Sequence, residues 1–194
     1  MAQNAKSLFA QANSYAMLHG LYFGLVGIIS VALMRLSLQY DWAALPSYLV
    51  VLSSPIVAII LTRRFRNDVM DEKVGFSFGR AYIHALLMGF YAGIIVALAI
   101  VVYLTWFDHG HTYDAYEAML SRPDVAAQLQ ASGMDAQVAL ATGGKTMKDI
   151  IDEMREVPPA NFAAVIIYAN LFLSPILALF VAAFCWKRPA VHHA

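Results

Sequence analysis

Four long apolar stretches, separated by polar connections, dominate the pattern along this chain. They run from Tyr15 to Leu36, Ala43 to Leu61, Ala81 to Trp106 and Phe162 to Trp186. Each reaches about the 20 residues that an α-helix needs to cross roughly 30 Å of hydrocarbon. Lipid satisfies no backbone polar group, so spans of this kind must be helical. The pattern therefore predicts an all-α fold, an integral membrane four-helix bundle.

Short sequence motifs that recur in the apolar stretches suggest an internal duplication. In each copy a histidine opens a small-xxx-small step, and Ser-Pro-Ile follows in the next stretch. The motifs consist of His19, Gly20, Gly24 and residues 54–56 in one copy, and of His84, Ala85, Gly89 and residues 174–176 in the other. A true internal repeat would determine the architecture of the protein, but short apolar motifs also recur by chance. Two tandem hairpin repeats thus stay an open alternative, and a rotation about the membrane normal should relate them if the repeat is real.

The connection between the third and fourth stretches is long and acidic, and helix breakers interrupt it. A helix that starts at Ser121-Arg-Pro-Asp ends near Gly133, glycines at 143 and 144 break the chain again, and Thr146 starts a third stretch. We expect two or three short helices, packed over the bundle or against a partner. The chain then divides into residues 1–107 with three spans, the insert 108–160, and residues 161–194 with the fourth span and the tail.

Composition supports a membrane protein. Hydrophobic residues make up 60% of the chain, against roughly 45–50% in soluble domains. The net charge is zero and no basic stripe is present, which argues against nucleic acid as a partner. Membrane lipids are the surroundings that this composition predicts.

Basic residues mark one side of the predicted bundle. Eight of the thirteen fall on the side that holds both termini, close to the span ends: Lys6, Arg63, Arg64, Arg66, Lys73, Arg80, Lys187 and Arg188. Lysine and arginine accumulate in cytoplasmic connections of membrane proteins. The distribution predicts cytoplasmic termini, with the insert on the opposite side of the membrane.

His19 and His84 are the most notable candidates for chemistry, because ionisable groups at membrane depth are rare. One interpretation is a structural hydrogen bond between helices, and the other is a site for a proton or a lipid headgroup. Small residues beside them indicate close packing of the first and third spans, which would bring the two histidines together. These packing residues are Gly20, Gly24, Ala85, Gly89 and Gly93.

Prolines in two spans add a second candidate feature. Pro55 and Pro175 each remove a helix hydrogen bond, and Ser54, Ser174 and Asn170 can satisfy the freed carbonyls. Kinked spans in corresponding positions also surround the midplane sites of transporters. We therefore group these five residues with the two histidines as a candidate polar intramembrane site.

Asp108, His109 and His111 form the only cluster of metal-ligand residue types. Their spacing matches no closed structural metal site, so we predict no metal. Catalytic signatures such as a nucleophile elbow, a phosphate loop or a zincin motif are missing from the sequence. The sequence thus predicts a protein that is not an enzyme and uses no cofactor.

The chain resembles the bacterial domain-of-unknown-function family forty-one ninety-nine. The similarity rests on the four spans, residues 75–81 (Gly-Phe-Ser-Phe-Gly-Arg-Ala), the helical insert and the terminal Lys187-Arg188. Arg80 departs from the family pattern, where an uncharged polar residue is expected. The resemblance implies the inner membrane and an envelope lipid-carrier or polysaccharide context, with a polyprenyl-phosphate glycosyltransferase as a candidate partner.

Three functions from different classes fit these features. An accessory or scaffold subunit explains the structured insert and the missing catalytic motifs, and it is the function we favour. A small lipid or solute translocator, working as a homo-oligomer, explains the kinked spans and the paired histidines. A membrane enzyme using Asp108, His109 and His111 explains only one loop.

Overall fold

The computed structural model describes residues 2–70 and 75–188. Lys73 and the side chain of Lys6, both used in the charge argument, lie outside the described residues. The helices are α1 (Ala2–Ser37), α2 (Ala44–Val69, after a 3-10 turn at Asp41–Ala43), α3 (Phe78–Trp106), α4 (His111–Leu120), α5 (Pro123–Ser132), α6 (Met134–Thr142), α7 (Met147–Glu156) and α8 (Pro159–Cys185).

Helices α1, α2, α3 and α8 are long and apolar enough to cross a membrane. The predicted all-α bundle with four spans is confirmed, and the protein is a multi-pass membrane protein. Two predicted boundaries are wrong, since α1 begins at Ala2 rather than Tyr15 and α2 continues past Leu61 to Val69. Hydropathy marks the part of a helix that lies in lipid. Backbone hydrogen bonding continues into water where neither glycine nor proline stops it.

Helix α3 organises the bundle. It packs along α1 on one side and along α8 on the other, while α2 closes the ring against α1 and, less extensively, α8. The order around the ring is therefore α1, α3, α8, α2. Half a turn about the membrane normal would carry α1 onto α8, which runs in the opposite direction. No half turn therefore relates the two hairpins, which lie side by side, and the internal repeat stays a prediction.

Glycines set the distances between these helices. A Cβ atom on Gly20 would lie 2.6 Å from the Tyr91 Cβ, and one on Gly24 would lie 3.0 Å from Ile95, so α1 packs on α3 as predicted. Gly89 and Gly93 instead face Ser174 and Asn170 of α8. Our assignment of these two glycines to the α1 contact is wrong. Their spacing defines a helix face but does not say which neighbour covers it.

The insert contains four short helices, one more than the upper limit of the prediction. Helix α5 begins at Pro123 and α7 follows Thr146, whose side chain and Asp149 form a capping box, as the sequence indicates. Helix α4 was missed, whereas α6 is the stretch between Gly133 and Gly143. Each follows a glycine in the left-handed conformation, Gly110 or Gly133, rather than a polar capping side chain.

The opposite end of the bundle, where α2 and α8 finish, is held by short polar contacts. We call it the tail end. Phe76 and Lys187 exchange two backbone hydrogen bonds of 2.8 and 2.9 Å. Arg66 donates to the Cys185 carbonyl at 3.2 Å, which places a cation at the C-terminus of α8. Arg63, Arg66, Arg80 and Lys187 therefore share this end of the molecule.

The orientation in the membrane stays a prediction that reporter fusions can test. Because the basic residues cluster at the tail end, we expect that end in the cytoplasm. A phosphatase fused after Lys145, in the insert, should be active, whereas one fused after Asn67 should be inactive. The reverse pattern would contradict this topology.

Candidate functional site

His19 of α1 and His84 of α3 meet inside the bundle. His19 Nδ1 lies 3.0 Å from His84 Nε2. The two residues are only 3% and 0% exposed, respectively. The predicted proximity of the two histidines is confirmed, and both rings are enclosed by protein.

Thr62 of α2 extends this contact to a third helix. Its Oγ1 atom lies 3.1 Å from His84 Nδ1, so both ring nitrogens of His84 have partners. Two proton arrangements satisfy both contacts. Thr62 can donate to His84, which then donates to His19, or each bond can run in the opposite direction. His19, His84 and Thr62, called here the histidine cluster, thus join three of the four spans.

Aromatic rings surround the histidine cluster. Phe65 stacks on His84 with a centroid distance of 4.4 Å and an interplanar angle of 15°. Tyr15 meets the edge of His19 at 5.9 Å. On the tail side, the Arg80 guanidinium lies 5.7 Å from the ring centroids of both Phe65 and Phe76 and donates to Gln11. This layer separates the histidine cluster from the tail end.

Sequence reasoning missed Thr62, Phe65 and the position of Arg80. A signal for the first two was present, because residues three apart share one face of a helix. Thr62 and Phe65 are spaced in this way, and both are buried. The apolar stretch was taken to end at Leu61, so that face was never followed further along α2.

The proline and serine candidates lie apart from the histidines. Along α3, Gly93 beside Asn170 is nine residues beyond His84, which corresponds to roughly 13 Å of helix. The single polar site predicted from the sequence therefore separates into two.

The two prolines are accommodated differently. Ser54 donates to the Val51 carbonyl at 2.7 Å, and this is the carbonyl that Pro55 leaves without its helical partner. Ser174 instead donates to the Asn170 side chain at 2.8 Å. The expected use of Ser174 to satisfy the carbonyl freed by Pro175 is thus wrong, because its hydroxyl faces Asn170.

A cavity of about 350 Å³ lies at this level among all four spans. We call it the mid-span cavity. Its polar lining comes from Ser30 of α1, Ser54 of α2 and Asn170 of α8, and glycines 27 and 93 also belong to the lining. The remaining lining residues are apolar, which leaves space for a small molecule or water beside three polar side chains.

Asp108 has a structural role where α3 leads into the insert. Its buried carboxylate accepts from the Thr112 backbone N–H at 3.0 Å and from the Thr112 hydroxyl. Arg35 of α1 donates to the same hydroxyl at 2.9 Å and to the His111 carbonyl at 3.1 Å. Among the described residues, histidine, cysteine and acidic side chains form no group of three able to hold a metal ion.

The pKa of Asp108 reflects these contacts. Burial by itself would raise it, but hydrogen bonds from Thr112 and Tyr103 and the nearby Arg35 charge bring it below its ordinary value of 3.8. A carboxyl group with a lowered folded-state pKa stabilises the fold above its unfolded pKa. That contribution is lost as the pH falls from 3.8 through the lowered value.

Asparagine at position 108 should loosen the start of α4. We expect a loss of about 1.5 kcal/mol at pH 7, or roughly tenfold faster exchange of the Thr112 amide, because the bonds to Thr112 lose their charge. Hydrogen exchange measures this directly. The difference from the natural protein should shrink at a pH below the Asp108 pKa, and Asp135→Asn, at an exposed position, is the control. Equal exchange at pH 7 would contradict the role assigned to Asp108.

Ion pairs hold α4 and α7 together. Arg155 contacts Asp114 at 2.8 Å and Glu117 at 3.2 Å, and Lys148 contacts Glu117 at 2.9 Å. The hydrogen bond and charge of Lys148, together with Arg155, lower the pKa of Glu117. Such exposed pairs contribute little energy but fix which faces of the two helices meet.

The hairpin of α5 and α6 packs less closely on the rest of the insert. A cavity of about 460 Å³ separates it from α4 and α7, with Leu120, Leu129 and Ile151 in its lining. Leu140 of α6 is 88% exposed. This insert thus presents apolar side chains outside the four spans.

Comparisons with known proteins give a family and no activity. A family model described as "Protein of unknown function (DUF4199)" matches residues 18–187. That range includes α1 from Leu18 onward, the other three spans, the histidine cluster, the mid-span cavity and the insert. No curated protein and no solved structure matches the chain.

Proposed function

Because the chain belongs to the DUF4199 family, whose description carries no activity, we propose a function from its geometry: a non-catalytic accessory or scaffold subunit of a membrane system. In this proposal the four spans are an anchor, and the insert is the part that a partner contacts. The histidine cluster then has a structural role.

The observation that carries the proposal is the burial of the histidine cluster. Both nitrogens of His84 are used in contacts between helices, and aromatic rings cover the cluster. A site that exchanges protons or binds headgroups needs access to water or lipid. Buried polar side chains that bond to one another across three spans fit an anchor that holds its spans in one arrangement.

The insert is the element we expect to meet a partner. Asp108, Thr112 and Arg35 fix its start to the bundle, and Arg122 joins α5 to Asp41 before α2 through a 2.9 Å contact. Leu140, on the α6 helix that follows, is exposed, and we expect a partner to bury its apolar side chain. We further propose that the tail end is cytoplasmic in the bacterial inner membrane, and that the partner is a lipid-carrier or polysaccharide enzyme, such as a polyprenyl-phosphate glycosyltransferase.

Photocrosslinking in native membranes tests the accessory role. A photoreactive amino acid at Leu140 should yield one stoichiometric protein adduct, identified by mass spectrometry after purification in mild detergent. The same group at Gln128, an exposed polar position on α5, is the control and should give a weaker adduct. Only lipid adducts or self-adducts from Leu140 would contradict the proposal.

A small lipid or solute translocator is the second candidate, and the mid-span cavity is the observation that favours it. Four spans surround only about 350 Å³, so a continuous pathway would require a homo-oligomer. Purified protein in vesicles that moves a fluorescent phospholipid across the bilayer without any partner would favour this candidate over the accessory role.

A further inference from the structure

The mid-span cavity contains polar groups that the protein itself leaves without partners. Several serines of the spans form hydrogen bonds to the backbone of their own helix. The hydroxyls of Ser37, Ser47 and Ser53 each donate to the carbonyl oxygen three residues earlier, at 2.7–2.8 Å. Ser30 differs, because its hydroxyl has no hydrogen-bond partner among the described residues. It lines the mid-span cavity instead.

Asn170 adds a second donor to the same cavity. Its Oδ1 atom accepts from Ser174 at 2.8 Å, while its amide nitrogen has no acceptor within the described part of the chain. Among the described residues, Arg80 Nε is the only side-chain polar atom that is fully buried and also has no hydrogen-bond partner. The Ser30 hydroxyl and the Asn170 amide nitrogen also have no partner, so neither of them is fully buried. Both groups are therefore accessible to whatever occupies the mid-span cavity.

The rest of the lining defines the chemistry of an occupant. None of the fifteen described lining residues is charged, and most are apolar, so an ion would lose its hydration without compensation. A donor without an acceptor in hydrocarbon costs several kcal/mol. The volume of about 350 Å³ falls within the range typical of small-molecule sites.

The mid-span cavity also reaches the surrounding lipid. Val51 of α2 and Leu173 of α8 belong to its lining, yet they are 46% and 63% exposed on the outside of the bundle. Helices α2 and α8 also pack on each other less extensively than α1 packs on α3 or α3 packs on α8. A lipid-soluble molecule can therefore enter between them without crossing water.

We propose that the mid-span cavity binds a neutral, largely apolar molecule whose carbonyl or ether oxygen accepts hydrogen bonds from Ser30 and Asn170. This binding goes beyond the anchoring role, because it uses none of the insert and none of the histidine cluster. Failure of the photocrosslinking test at Leu140 would leave it unaffected.

Benzophenone is a suitable probe because it is neutral, apolar, carries one carbonyl and forms covalent adducts on irradiation. With the purified full chain in phospholipid vesicles, labelling should saturate and fall on half-buried lining residues such as Val50 and Val96. Ser30→Ala should raise the half-saturating concentration about fivefold, as expected for one hydrogen bond. Asn170→Leu should act in the same direction, and Ser53→Ala, whose hydroxyl bonds to Val50, should not change it.

Ser30→Ala is the decisive variant because it removes no contact within the protein and should fold normally. Labelling that rises linearly with concentration and spreads over outward-facing residues such as Phe172 would indicate partitioning into lipid and would overturn the proposal. Saturable labelling that is unchanged in Ser30→Ala and Asn170→Leu would also overturn it, because those two donors would then not bind the probe.

Discussion

Leucine in place of His84 should lower the free energy of unfolding by about 2 kcal/mol, from two lost interhelical hydrogen bonds and the lost stacking on Phe65. The substitution leaves the Thr62 hydroxyl and the His19 ring without their partner inside the bundle. Unfolding by steric trapping in bicelles measures the effect. Met88→Leu, at a buried position one turn further along α3, is the control and should lose much less.

A double-mutant cycle separates the contact from general disruption. His19→Leu and His84→Leu should together destabilise the protein less than the sum of the single changes, by at least about 0.5 kcal/mol, because the second change removes a partner already lost. Additive effects would mean that the 3.0 Å contact between the rings contributes nothing to stability.

Isoleucine in place of Gly20 should destabilise the bundle by about 3 kcal/mol or prevent its assembly, because the side chain has no space. Even a Cβ atom there would lie 2.6 Å from the Tyr91 Cβ and 3.1 Å from the Met88 carbonyl oxygen. The α1 and α3 backbones would have to separate, which would also break the contact between the histidines. The same unfolding assay measures this loss.

Gly79 provides the matched control for Gly20. It lies in the first turn of α3, and a Cβ atom there would meet nothing within 4 Å. Gly79→Ala should therefore be neutral or stabilise the protein by up to about 1 kcal/mol, since alanine favours helix. Gly20→Ala should already destabilise the protein, so equal effects of Gly20→Ala and Gly79→Ala would show that the close packing of α1 on α3 does not limit stability.

The spans could be predicted from the sequence because their physical signal is local. Twenty apolar residues in a row have few alternatives to a membrane helix. The meeting of His19 and His84 could also be predicted, since small residues beside a polar one mark a close helix contact. The neighbours of Gly89 and Gly93 could not, because the order of helices around the ring depends on packing among all four.

The polar residues of the spans show a second limit. Ser174 and Ser54 stand in the same local sequence, yet one bonds to Asn170 and the other to its own backbone. Both bonds stay within one helix, and which of them forms depends on the side-chain rotamers, which the shared sequence pattern does not specify. The helices of the insert were harder to predict. Helices α4 and α6 each begin after a glycine in the left-handed conformation, and such a glycine more commonly marks the end of a helix than its start.

The most direct test of the account compares protein amount with function for His84→Leu in a strain that lacks the natural gene. If the histidine cluster is structural, complementation should fall only in proportion to the folded protein in the membrane. Restoring that amount by higher expression should then restore complementation. Normal accumulation of a His84→Leu protein that fails to complement would contradict the account, because His84 would then have a role beyond holding the spans together.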